Sequence, residues 1–103
     1  MRGPGASVLL GRALSAAAAR HGCAVSVEER EATAWHSATF SGERLALALS
    51  APAGIAWGGW LATIGDMDVA LPGHLLADLC VMHKGERDGR CYARIDALTV
   101  AQA

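Results

Sequence analysis

The fold is decided by residues 74–100, which read HLLADLCVMHKGERDGRCYARIDALTV. Two runs of alternating apolar residues flank the polar stretch 84–90. The odd-numbered positions of these runs are apolar: Leu75, Ala77, Leu79 and Val81 in the first run, and Ala93, Ile95 and Ala97 in the second. Because side chains alternate across a strand with a period of two, this pattern predicts an antiparallel hairpin with one buried face.

The turn of this hairpin must keep the two apolar faces on the same side. A two-residue turn at Asp88-Gly89 would place Arg87 opposite Arg90 and would turn Ile95 to the wrong face, since a one-residue slip exchanges the faces. We therefore predict either a loop with an odd number of residues or a β-bulge with Gly89 at positive φ. Of the two, we favour a three-residue loop with Gly89 at positive φ.

The first half of the chain begins with a predicted helix. Residues 7–21 carry apolar side chains at helical spacing, and Gly22 is suited to end the helix. A strand is predicted over residues 24–30. A hairpin follows, with strands at 34–40 and 45–49 joined by a two-residue turn at Ser41-Gly42. This register places His36 on the face of the leucines and Trp35 on the opposite face.

The second half repeats this order of elements. A helix is predicted from Pro52 to about Ile64, then a short strand over residues 67–71, then the hairpin of residues 74–100. The chain is therefore expected to be a single α+β domain over residues 1–103 with the order helix-β-β-β-helix-β-β-β. A mainly antiparallel sheet of about six strands would carry both helices on one face. The repeated order suggests two similar halves, residues 6–50 and 52–100.

Composition limits the possible partners and the location. The net charge of −1 argues against nucleic acid, which requires a basic surface. Three cysteines without a C-x-x-C pair are typical of free thiols in a reducing compartment, so we expect a cytoplasmic protein. The acid-free residues 1–27 resemble a signal peptide weakly, but Arg12 interrupts the apolar segment. No segment is long enough to span a bilayer, and no membrane partner is expected.

The best candidate metal ligands are His74, Asp78 and Cys80, with His36 as a fourth. In the predicted strand the first three share one face, and these residue types can bind zinc. However, His74 and Asp78 would lie about 13 Å apart along that strand, too far to share one ion. We therefore predict an exposed Asp78 paired with Arg94, a small buried Cys80, and no metal or cofactor.

Three other residues are candidates for a binding site. His36 among aliphatic side chains is most simply a hydrogen-bonded core residue, although a depressed pKa would make it a general base. Trp57 and Trp60 flank Gly58-Gly59 and would either pack helix against sheet or form an aromatic ligand floor or interface anchor. Trp35 is expected on the less covered face of the sheet.

These features support three functions, in order of preference. The first is a non-enzymatic interaction module that forms a homo-oligomer, or binds a protein partner, through sheet edges or the open sheet face. The second is a small-ligand-binding domain with Trp57 and Trp60 above the sheet and His36 as a polar anchor. The third is a small enzyme with His36 as base, which lacks an identifiable nucleophile–base set.

Overall fold

The computed structural model describes residues 5–67 and 69–102. The elements in chain order are α1 (Ala6–Arg20), β1 (Ser26–His36), β2 (Ser41–Pro52), α2 (Ile55–Thr63), β3 (His74–Arg87) and β4 (Arg90–Ala101). A single 3₁₀ turn, Ile64–Asp66, follows α2. The four strands form one antiparallel sheet in the order β1-β2-β4-β3. The predicted α+β class with an antiparallel sheet is confirmed.

The predicted order with three strands in each half is wrong, because each half contributes two. The strands predicted at 24–30 and 34–40 are one continuous strand, β1, in which the charged residues 28–31 lie on the sheet edge. In the second half, Leu71 forms only an isolated bridge with His74, and Met67, Val69 and Ala70 are in neither helix nor strand. Asp68, which the predicted strand also included, lies outside the described residues.

The predicted register of the first hairpin is also wrong. The loop is residues 37–40, and Ser41-Gly42 belongs to β2, so that His36 pairs with Ser41 and Ala34 with Glu43. The loop closes on itself: Ser37 N donates to the Phe40 carbonyl at 2.8 Å, and Phe40 N donates to Ser37 Oγ at 3.0 Å. Local hydrogen bonds of this Ser side chain therefore outweigh the Ser-Gly turn signal.

The second hairpin has a two-residue turn, which the alternation of its apolar residues had disfavoured. Asp88 and Gly89 both have positive φ, 52° and 76°, and Arg87 pairs with Arg90. A bulge between Val81 and His83 shifts the register and returns Val81 to its place opposite Ile95. The positive φ of Gly89 is thus confirmed, whereas the favoured three-residue loop is wrong, and the bulge lies at Met82 and not at Gly89, where the alternative placed it.

A second shift in β3, between Leu76 and Asp78, changes which residues share a face. Because of this shift, His74 and Leu76 lie on the same face of the sheet as Leu79. Leu75 lies on the opposite face and is 54% exposed. The predicted grouping of Leu75 and Ala77 with Leu79 is therefore wrong. Simple alternation cannot reveal an extra residue, because each bulge resets the period.

Helix α1 ends as its sequence predicts. Gly22 has φ of 77°, Gly22 N donates to the Ala19 carbonyl at 3.0 Å, and Cys23 N donates to the Ala18 carbonyl at 2.9 Å. These two bonds form a Schellman motif, which satisfies carbonyls at the end of the helix. The helix packs on β1 and β2 through a buried stripe that includes Leu10 and Leu14.

One face of the sheet, which we call the core face, is buried in a single hydrophobic cluster. Its centre is the pair Leu47 and Ile95, both 0% exposed, where β2 meets β4. The cluster also contains residues of both helices, Leu10, Leu14, Trp57, Trp60 and Leu61 among them. Within the described residues, neither helix is long and apolar enough to cross a membrane.

Each half of the sheet contains a bulge next to this centre. In β1 the register shifts between Glu29, opposite Leu47, and Glu31, opposite Ala46. In β3 it shifts between Val81, opposite Ile95, and His83, opposite Arg94. Because Leu47 pairs with Ile95, the two bulges occupy corresponding places on either side of the central strand pair.

Candidate functional site: the open face of the sheet

The second face of the sheet, here called the open face, carries the side chains that alternate with the core. The ladder registers place them in rows across β1, β2, β4 and β3. From one end, the rows are Trp35–Gly42–Val100–Leu75, Thr33–Arg44–Leu98–Asp78, Glu31–Ala46–Asp96–Cys80, Glu28–Ala48–Arg94–His83 and Ser26–Ser50–Tyr92–Gly85. Most of these residues are half-buried or exposed, and we take this face as the candidate site.

The open face is uneven, because its two central strands carry side chains of different size. Along β2 the residues are small except for Arg44, and we call Gly42, Ala46, Ala48 and Ser50 the trough. Along β4 they are large, and we call Tyr92, Arg94, Asp96, Leu98 and Val100 the ridge. A concavity of about 540 Å³ opens on this face, with Arg44, Ala46, Asp78, Cys80, Arg94 and Asp96 in its lining. Trough and ridge lie side by side.

The end of the trough at Gly42 is fixed by Trp35. Its indole Nε1 reaches across β2 and donates to the Thr99 carbonyl at 3.1 Å. This is possible because Gly42, which lies between them, has no side chain. Thr99 is fully buried and is itself satisfied, since its Oγ1 accepts from Glu43 N at 3.2 Å and donates to the Glu43 carbonyl at 3.4 Å. Trp35 thus ties edge strand β1 to β4.

Charges of both signs alternate over the middle of the open face. Arg94 Nε lies 3.8 Å from Asp96 Oδ1, and Arg30, the bulged residue of β1, lies 3.5 Å from Glu28. Both pairs are exposed, so each stabilises the fold little. Although the Asp96 side chain is about half exposed, its Oδ1 atom is inaccessible to solvent, and its 3.8 Å contact with Arg94 is too long for a hydrogen bond, of which it has none among the described residues. The predicted pairing of Asp78 with Arg94 is wrong, because Asp78 lies opposite Leu98.

Cys80 is an exposed thiol on this face, not the buried residue that the sequence predicts. Its Sγ lies 3.7 Å from Asp78 Oδ2. The negative charge of Asp78 raises the pKa of the thiol, and desolvation, the hydrogen bond to Asp78 and the charge of Asp96 act in the same direction. Cys80 is therefore less nucleophilic than an ordinary exposed cysteine at neutral pH, because the thiolate is the reactive form.

This pKa shift predicts how Cys80 reacts with iodoacetamide. Asp78→Asn should lower the pKa of the thiol and speed its alkylation near pH 8, because more of it is then thiolate. The rate is read from the mass of the peptide that contains Cys80; Cys23 and Cys91 are buried and should react slowly. Asp88→Asn removes the same charge from the β3–β4 turn and should leave the rate unchanged. An unaltered alkylation rate in Asp78→Asn would show that the charge of Asp78 does not raise the pKa of Cys80.

The structure brings together only two of the predicted metal ligands. Asp78 and Cys80 share the open face, whereas the bulge at Ala77 turns His74 to the core face, and His36 lies exposed at the end of edge strand β1. In the described part of the chain, no group of three or more His, Cys, Asp or Glu side chains is placed to hold a metal ion.

Trp57 and Trp60 are packed in the hydrophobic core, at 7% and 1% exposure. Their ring centroids are 6.1 Å apart with an interplanar angle of 54°. Burial of both rings fits the core-packing alternative and leaves little of either ring for a ligand. Trp60 Nε1 is buried without a hydrogen-bond partner among the described residues.

Sequence reasoning missed the relief of the open face. Its signal is present: even-numbered residues of 42–50 are small apart from Arg44, and those of 92–100 are large. The signal has meaning only once β2 and β4 are known to be neighbours, which alternation within a strand does not reveal. No protein-family model matches this chain, and no curated protein matches it either. The candidate site therefore rests on the geometry of the open face.

Proposed function

We propose that this chain is a self-association module, in which the open face of one copy docks on the open face of a second. The observation that carries the proposal is the trough beside the ridge on one uncovered sheet face. Specific interfaces require shape complementarity close to that of protein interiors, and a surface that carries both a groove and a matching ridge can complement itself.

The sheet edges are less suited to this role than the face. Exposed edges invite pairing with other strands, and proteins block them with bulges and charged residues. Edge strand β1 has a bulge at Arg30 between Glu29 and Glu31. Edge strand β3 has two register shifts, at Ala77 and Met82, and carries Lys84 near its end. Both features favour the face over the edges as the site of association.

In this proposal both helices lie on the core face, which leaves the open face without a cover. The shared cluster of α1 residues, α2 residues and the leucines of β2 supports this arrangement. Apolar side chains then remain accessible on the open face: Leu75 and Tyr92 are 54% and 44% exposed. Leu98 and Val100 are half-buried on the same face. Burial of these residues in a dimer would add apolar contact to an alanine-rich core.

The size of the open face suits a dimer of moderate affinity. Four strands with five rows form a surface of roughly 20 by 30 Å, from the strand and residue spacings of a sheet. Two such faces would bury about 1,200 Å² in total, which is the lower limit of specific interfaces. We therefore expect reversible association with a Kd in the micromolar range, about 1–100 µM.

Sedimentation velocity over this concentration range tests the proposal. The protein should shift from monomer to dimer, and Ala48→Trp should raise the Kd at least about tenfold, because its indole fills the trough. The matched control is Ile55→Trp, which places the same side chain on a residue that is 96% exposed at the start of α2. A wild-type monomer throughout, or an Ala48→Trp dimer of unchanged Kd, would refute the proposal. Circular dichroism should show that both variants are folded.

We also propose that residues 6–50 and 52–100 are two versions of one helix-hairpin unit. The equivalent bulges on either side of the Leu47–Ile95 pair support this, as does the order of one helix and two strands in each half. Sequences of related proteins provide the test. When the first half of each such sequence is aligned with its second half, β2 should match β4 at a shift of 48 residues, which is the separation of Leu47 and Ile95 (95 − 47). A match at a different shift would contradict the proposal.

A further inference from the structure

Resting on the proposed dimer, we infer that its twofold axis runs parallel to the strands, so that the ridge of each copy lies in the trough of the other. Packed sheets keep their strands within about 30° of each other. A twofold axis between two such faces can run along the strands or across them. The relief of the open face distinguishes these two arrangements.

An axis across the strands would place each strand over its own copy. The ridge on β4 would then meet the second ridge, and the trough on β2 would face the second trough. Large residues would collide while an empty channel remained beside them, which well-packed interfaces do not allow. An axis along the strands, between β2 and β4, places β4 over β2 of the second copy and β3 over β1. Ridge and trough then interdigitate.

Steric matches follow along most of the central strand pair, and the exception is the row in which Leu98 lies over Arg44 of the second copy. With rows at equal height, Val100 lies over Gly42 of the second copy, and Tyr92 lies over Ser50 of the second copy. At the ends of the row that contains Gly42 and Val100, Trp35 contacts Leu75 of the second copy, so the half-buried indole and the exposed leucine bury each other. In the other four rows of the central strand pair, the β4 side chain is thus placed over a small residue of β2.

Most of the charges match in the same arrangement, the exception being the approach of Glu31 to Asp78 of the second copy. Arg94 lies over Ala48 of the second copy, whose neighbour in the row is Glu28. His83 lies directly over that same Glu28. Asp96 lies over Ala46 of the second copy, two residues along β2 from Arg44, so opposite charges approach each other there as well. Opposite charges across an interface fix its register.

A single substitution tests the axis. Glu31 and Cys80 are at opposite ends of one row, three strand spacings or about 14 Å apart, and cannot form a disulfide within one copy. In the inferred dimer, residue 31 lies over Cys80 of the second copy. Glu31→Cys should therefore form two symmetric disulfides per dimer on oxidation with copper phenanthroline. The substitution also removes a like-charge approach to Asp78 of the second copy.

The experiment is carried out at dimer-forming concentration and mildly alkaline pH, and products are separated by non-reducing electrophoresis. Glu31→Cys should give mostly covalent dimer, with the 31–80 link found by peptide mass spectrometry. The matched control is Ala32→Cys, an exposed neighbour on the other side of β1, which should remain uncrosslinked. The wild type should also remain uncrosslinked, because its two Cys80 residues lie at opposite edges of the dimer.

Two results would overturn the inferred axis. The first is a wild-type dimer linked through its two Cys80 residues, which an axis across the strands at their row would produce. The second is a Glu31→Cys protein that sediments as a dimer but forms no 31–80 link; the proposed self-association would survive that result. A protein that sediments as a monomer would refute the self-association itself, and the axis with it.

Discussion

Gly42→Ala should destabilise the protein by about 3 kcal/mol, a large loss for one methyl group. A Cβ at residue 42 would overlap the Thr99 carbonyl oxygen, and would lie 2.8 Å from the Thr99 carbonyl carbon and 2.9 Å from Trp35 Nε1. The first two atoms belong to the backbone of β4 and cannot move without shifting the central ladder. The third is held by its bond to the Thr99 carbonyl, which the substitution would break.

Urea denaturation measures this loss, and Gly58→Ala is the matched control. A Cβ at Gly58 meets no atom within 4 Å, and the residue lies inside helix α2. Alanine should therefore stabilise the protein there by up to about 1 kcal/mol, since it has the higher helix propensity. The same chemical change thus has opposite signs at two sites. A Gly42→Ala protein as stable as the wild type would show that Trp35 does not cross β2 at this glycine.

Trp60→Ala should cost about 4 kcal/mol in the free energy of unfolding, within the range for truncation of a fully buried aromatic residue. Trp60 is 1% exposed and is the largest of the fully buried side chains. It packs against Trp57 and belongs to the cluster that joins α2 to the central strands. Five other members of this cluster are alanines, which are too short to fill the volume that the indole leaves.

The control for Trp60→Ala is Ile55→Ala, at the start of the same helix. Ile55 is 96% exposed, and its truncation should change stability by less than about 0.5 kcal/mol. Thermal unfolding followed by circular dichroism gives both values. A small loss for Trp60→Ala would mean that the hydrophobic cluster does not depend on α2.

The elements themselves were largely predictable from periodicity. Helix α1, its Gly22 end, the stripe of Trp57, Trp60 and Leu61, and the final hairpin all follow from local spacing. The register was not predictable, because it depends on inserted residues. Met82 and Ala77 look like ordinary members of an alternating run, yet each is the extra residue of a bulge. The charged residues 28–31 look like a turn, but an exposed edge strand tolerates the same composition.

The candidate site was predictable only in part. Asp78 and Cys80 were correctly placed on one face, and His74 was wrongly placed with them because Ala77 shifts the period. Trp35 was expected on the less covered face, where it lies, but its bond to Thr99 spans 64 residues of sequence and has no local signal. Trough and ridge depend on the pairing of β2 with β4, and this long-range contact is what local patterns omit.

The two-hairpin arrangement has a consequence for the folding pathway. Each hairpin closes a short loop, residues 37–40 in one and Asp88-Gly89 in the other, and such hairpins form within about 1–10 µs. The β2–β4 ladder joins residues 48 apart at its centre (95 − 47), and closing that longer loop costs about 2 kcal/mol more in chain entropy. We therefore expect docking of two preformed hairpins through Leu47 and Ile95 to be the slow step. The transition state should contain this pair, and its truncation should slow folding more than it speeds unfolding.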